Sequence, residues 1–202
     1  EQGALDSLHA ERLERAKAWL AALRRARAEH PAIPALAAAI DERDLALRAS
    51  DPARLFELDA ERVAEALARA ERPTELLRAA LAECADLDAA LRALRATVDG
   101  EFDGVIADAV APRAHEVEQG EALLGLVAHA TTDQNKARLA DVAYERLKEA
   151  GDPASAALAL ARVGAVRRDT AMLRAALASA ERAGAKRVAR QIVELALEVV
   201  GV

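Results

Sequence analysis

What this chain of 202 residues lacks narrows its function before any motif is considered. Cysteine occurs once, at Cys84, so no disulfide can form within the chain and a thiolate-rich zinc site is excluded. A reducing compartment suits that usage, and a cytoplasmic location is expected. Aromatic residues make up 2% of the sequence, too few for the stacking platforms that hold single-stranded nucleic acid. No uninterrupted apolar run reaches the roughly 18 residues of a membrane-spanning helix. No basic segment followed by an apolar stretch marks an export signal. The opening Glu1-Gln2-Gly3, without Met, leads us to expect a trimmed chain or an excised domain with room for a segment upstream.

The usual catalytic patterns are missing as well. There is no nucleophile elbow of the Gly-x-Ser-x-Gly kind, no phosphate-cradling Gly-x-x-x-x-Gly-Lys-Ser/Thr and no Gly-x-Gly-x-x-Gly after a strand. His9, His30, His115 and His129 form neither His-Glu-x-x-His nor Glu-x-x-His, so no metal is expected. His115 stands near Glu116 and Glu118, but that spacing splits the groups across a helix, and a surface histidine is the expectation. His30, before Pro31, reads as a helix end. Asp99, Glu101, Asp103, Gly104 and Ile106 follow part of a calcium-loop pattern, yet the twelfth position is Val110 where a bidentate carboxylate belongs, so an acidic turn is expected. Cys84 has no local His or Asn partner and reads as core packing. Neither an enzyme nor a cofactor is expected.

What is present points to helix. Ala, Leu, Glu and Arg dominate nearly every stretch between breakers, and hydrophobic residues are 53% of the chain. Arg greatly outnumbers Lys, which together with abundant Ala reads as a GC-rich bacterial coding bias. Leu5, Leu8, Leu13, Ala16, Leu20 and Leu23 recur at helical spacing in a first helix over 5–29, with Trp19 as an expected core anchor. A second helix is expected over 34–49, where Ser50-Asp51-Pro52 supplies a cap. Shorter helices follow from Asp59, Pro73 and Asp86, the last carrying Leu87, Leu91, Leu94 and Val98 on one stripe. Phe56 and Phe102 are expected to seal turns, and Tyr144 to pack in a hairpin. Helices are least secure between Asp99 and Gly125. We therefore expect an N-terminal helical region over 1–98, an irregular bundle; an acidic connection over 99–135; and helical hairpins over 136–202.

Charge separates along the same lines. Residues 99–135 carry eight Asp and Glu against one Arg, whereas 136–190 carry twelve Lys and Arg against six Asp and Glu. The overall net of −6 hides this asymmetry. The basic stretch around Arg167, Arg168, Arg187 and Arg190 could follow a phosphate backbone or dock on an acidic surface. An acidic protein without a recognition motif makes nucleic acid the weaker expectation.

Gly151 and Gly184 lie 33 residues apart, each joining two helical segments, the spacing of a stacked helical hairpin. Helices are expected at 133–150, 153–166, 170–183 and 185–200. The segment Ala154 to Val166 has only Ser155 and Arg162 as polar side chains and should lie between neighbours. In the last helix Val188, Ile192, Leu195 and Val199 form one stripe, and Val193, Leu197 and Val200 a second beside it. That arc is too wide for a capped end and implies homo-oligomerisation, an interdomain contact or a truncated array.

The stretches 139–166 and 172–199 resemble degenerate tetratricopeptide-type repeats. Their length, the Gly151-Asp152 turn, Ala156 and Ala189 one turn into the second helix, and Ala196 carry the likeness. The aromatic early in the first helix gives way to Ala140 and Tyr144, and the closing Pro to Arg168. The resemblance implies an all-α fold whose C-terminal part is a short α-solenoid. It also implies a groove for a peptide or partner helix facing Arg138, Asp141, Glu145, Lys148, Arg174 and Arg182, a face that ion pairs along a solvated helix would also produce. The expected function is a non-catalytic protein-interaction or scaffolding module, with Val193, Leu197 and Val200 as an oligomer or interdomain contact. The alternatives are a helical-bundle sensor holding a small ligand between helices, and nucleic-acid backbone binding through the basic face.

Overall fold

The structure, a computed structural model, describes residues 2–30, 34–49, 51–97 and 100–201, with side chains from residue 13 onward apart from 34, 36, 48, 49 and 97. The side chains of Leu5, Leu8 and His9, and the whole residues Pro31, Ser50, Val98 and Asp99, fall outside these. Every regular element among the described residues is helical. The α-helices are α1 (Gln2–Glu29), α2 (Pro34–Ala49), α3 (Ala60–Arg69), α4 (Pro73–Glu83), α5 (Leu87–Thr97), α6 (Asp103–Val110), α7 (Gly120–Leu126), α8 (Asp133–Glu149), α9 (Pro153–Arg167), α10 (Thr170–Arg182) and α11 (Lys186–Val200). Short 3-10 turns cover Pro52–Glu57, Gly100–Phe102 and Ala111–Glu116. Among the described residues no helix is long and apolar enough to cross a membrane. The contacts group the chain into two units, Glu1–Cys84 and Ala85–Val202, a different partition from the three regions expected from composition and charge.

In the first unit α1 packs on α2 through Leu20, Ile40 and Leu47, with Leu13, Ala16 and Leu23 at the margin. Trp19 corrects the expected core anchor: it is 63% exposed. A single neighbouring helix covers only a narrow stripe of α1, and Trp19 lies beyond the Leu23 edge of that stripe. Asp59 caps α3 by accepting from the Arg62 amide at 3.0 Å. Leu55, from the turn before it, is fully buried. Cys84 ends α4 and is buried as expected, its thiol against the Leu81 carbonyl at 3.5 Å.

The second unit holds its irregular portion together with side chains that reach backbone. Asp88 on α5 accepts from the amides of Glu118 and Gln119 at 2.9 and 3.4 Å. Asp108 on α6 accepts from the Thr131 amide at 3.1 Å and the Asn135 amide group at 2.9 Å. Arg146 on α8 donates to the carbonyls of Val117 and His115 at 3.2 and 2.9 Å. Short helices leave many backbone groups without helical partners, and these side chains supply them. Where α7 meets α8, Gly120 permits the crossing: a Cβ there would stand 2.7 Å from the Leu147 Cγ.

The last four helices form two hairpins, and their joints explain themselves locally. Gly151 and Gly184 take φ of 73° and 69°, the left-handed conformation that glycine reaches without penalty. Each sits in a turn where the following amide closes back five residues, Asp152 to Leu147 at 3.0 Å and Ala185 to Ala180 at 2.9 Å. Asp152 and Asp169 then cap α9 and α10. Helix α9 packs against α8, α10 and α11, and no residue from 154 to 166 is fully exposed, as its all-round apolar sequence requires.

Candidate functional site

Helix α11 buries Ile192 to 1% exposure against the cluster of Ala157, Ala161, Leu173, Ala176 and Ala180. Its second stripe finds no cover. Val193, Leu197 and Val200 are 42%, 46% and 64% exposed, and they account for three of the four large exposed hydrophobics among the described residues. The α10–α11 antiparallel pair makes of them one wall of a groove of about 250 Å³, with Leu173 and Leu177 of α10 opposite. Arg174 is the one charged side chain lining it. Among the described residues no carboxylate pairs with Arg174.

The other residues of the expected face are distributed differently. Arg138, Asp141, Glu145 and Lys148 share one side of α8, where Asp141 is engaged by Arg167 of α9 at 2.6 Å and Lys148 lies 5.8 Å over the Tyr144 ring. Arg182 donates to the Ala178 carbonyl of its own helix at 3.2 Å. Helices α8 and α10 each pack on α9. Arg174, alone of the six, lies with Val193, Leu197 and Val200.

A second concavity lies between α5, α6 and α7, with a volume of about 310 Å³. Leu91, Leu94, Ile106 and Leu126 form its apolar lining, and Arg95, Asp103 and His129 its polar one. The His129 Nε2 stands 3.4 Å from the Asp103 Oδ2. Residues 103–110 are α-helix, so the acidic segment does not wrap round an ion as a calcium loop does; Asp103 turns to His129 instead. Among the described residues no group of three or more His, Cys, Asp or Glu is placed to share a metal. His115 is 74% exposed, with Glu116 3.9 Å away. Glu116 itself is held below the usual carboxylate range by hydrogen bonds from Arg113.

Comparison with known proteins returns nothing: no family model, curated protein or solved structure matches the chain. Geometry therefore carries the functional argument alone. The groove residues were legible as an over-wide apolar arc on one helix. Arg95 and His129 were not, because they come from α5 and the turn after α7, more than 30 positions apart, and a lone Arg or His in so charged a helical chain has no spacing signal. The one available hint was glycine at 100 and 125, where helices would otherwise prefer a side chain.

Proposed function

We propose that the chain is a non-catalytic protein-interaction module whose α10–α11 groove receives an acidic amphipathic helix of a partner protein. The observation that carries this reading is Arg174, with no carboxylate partner among the described residues, beside the exposed stripe Val193, Leu197 and Val200 in one groove. An occupying helix would lay apolar side chains at i, i+3 or i+4 and i+7 along the stripe and direct a carboxylate to Arg174.

The tetratricopeptide-like stacking belongs to the same proposal. With a 33-residue offset, buried positions recur in pairs: Ala140 with Leu173, Ala143 with Ala176, Leu147 with Ala180 and Ala159 with Ile192. Helix α9 occupies 153–167 and α11 the same register at 186–200. In this register the face of α9 that α10 and α11 cover presents Ala157, Leu160, Ala161 and Gly164, and Gly164 is close enough to α10 that a Cβ would stand 3.1 Å from the Met172 Cβ. The equivalent places on α11 are Arg190, Val193, Glu194 and Leu197, all exposed. A face that permanently stacked on another hairpin would be small and apolar like that of α9. Charges interleaved with hydrophobics suit a partner that comes and goes.

The test is selection of helix-forming peptides displayed against the full chain. Selected sequences should carry the apolar stripe with a neighbouring Asp or Glu. Their binding should weaken about 100-fold in the V193E/L197E double variant and about tenfold in R174E, with unchanged helicity by circular dichroism. If light scattering shows a dimer that V193E/L197E reduces to a monomer, the occupant is a second copy and the partner-helix reading falls. It falls too if no helical peptide is selected.

A further inference from the structure

The pocket between α5, α6 and α7 has a composition that the groove-binding role does not call for. Its floor is apolar and buried: Leu91, Leu94, Ile106 and Leu126 are 4%, 2%, 5% and 7% exposed. Its rim holds opposite charges that do not neutralise each other. Arg95 uses one Nη2 hydrogen on the Ala122 carbonyl at 2.9 Å, and a guanidinium has five N–H donors. No carboxylate pairs with it among the described residues. Asp103 meets His129 through Oδ2, and among the described residues no hydrogen bond engages its Oδ1, a spare acceptor.

Glycine keeps both charged groups accessible. A Cβ at Gly125 would stand 3.2 Å from the Arg95 Nη2, and one at Gly100 would stand 3.2 Å from the Asp103 Oδ2. Any side chain at either place would crowd the group beside it. These two residues come from separate stretches of chain, and both border the same pocket.

We propose that this pocket binds a free aliphatic α-amino acid. Arg95 takes the carboxylate, for which its planar fork is the matching partner. Asp103 takes the ammonium through its spare oxygen, and the aliphatic side chain rests on the four apolar residues. The volume of about 310 Å³ is at the small end of ligand pockets, which suits a molecule of about nine non-hydrogen atoms. A simple anion would leave the Asp103 carboxylate facing it, and a simple cation would meet Arg95; only a molecule bearing both charges satisfies both walls.

The experiment is titration calorimetry of the full chain with L-leucine, 4-methylpentanoate and 3-methylbutylamine, which remove the ammonium and the carboxylate in turn. L-Leucine should bind with a Kd below about 1 mM, and each analogue at least about tenfold more weakly. R95Q and D103N should each weaken leucine binding about tenfold or more while melting within about 2 °C of the parent. The groove variant V193E/L197E should bind leucine unchanged. Absence of heat with leucine, isoleucine, valine and methionine at about 10 mM overturns the proposal. So does 4-methylpentanoate binding as tightly as leucine, or undiminished binding by D103N.

Discussion

Arg168 sits at φ 53°, the one non-glycine residue with positive φ among those described. It ends α9 in the place where Gly151 and Gly184 end α8 and α10, with the Asp169 amide closing on the Gly164 carbonyl at 2.8 Å. An L-residue in this conformation is strained by about 1 kcal/mol relative to glycine. Arg168→Gly should therefore raise stability by about 0.5–1 kcal/mol, a rise of a few degrees in Tm by thermal melting. The same geometry bars proline from this position, since a proline ring fixes φ near −65°. Arg162, further back on the same helix, has a buried Nε with no hydrogen-bond partner, and burial pushes its guanidinium pKa down from the ordinary value. An unpaired buried donor costs more than it contributes. Arg162→Met should be neutral or stabilising by about 1 kcal/mol in urea denaturation.

The hairpin elements are largely legible in the sequence, and their caps show why. Asp152 holds α9 by accepting from the amides of Ala154 and Ser155 at 3.1 and 3.0 Å, and hydrogen bonding from Ser155 keeps its carboxyl below the ordinary range. A depressed folded-state pKa means that the cap stabilises above the unfolded value, near 3.9, and that this is lost as pH falls through the lower folded value. Asp152→Ala should cost about 1 kcal/mol at pH 7, and the gap should narrow at about pH 3. Glycine joints, Asp caps and apolar spacing are all local signals, so the four C-terminal helices could be read from them to within one or two residues. Trp19 could not, because its exposure depends on how much of α1 a single neighbour covers. The α5–α6–α7 pocket was equally hidden. It exists only because Arg95 of α5, Asp103 of α6 and His129 of the turn after α7 arrive from segments that no periodicity links.

At the scale of the whole chain, charge and apolar surface are unevenly distributed. The acidic stretch 99–135 spends several of its carboxylates internally, with Asp108 on Thr131 and Asn135 and Glu116 on Arg113. The basic stretch that follows places Arg174, with no carboxylate partner among the described residues, beside the exposed hydrophobics Val193, Leu197 and Val200. One cation borders an uncovered apolar stripe there, the surface that the proposed partner helix would cover. The most direct measurement is an NMR titration of the isotope-labelled full chain with an acidic amphipathic peptide selected against it. Shift changes should cluster over 170–177 and 192–200, and V193E/L197E should abolish them. Changes concentrated anywhere else, or persisting in that variant, would contradict the account.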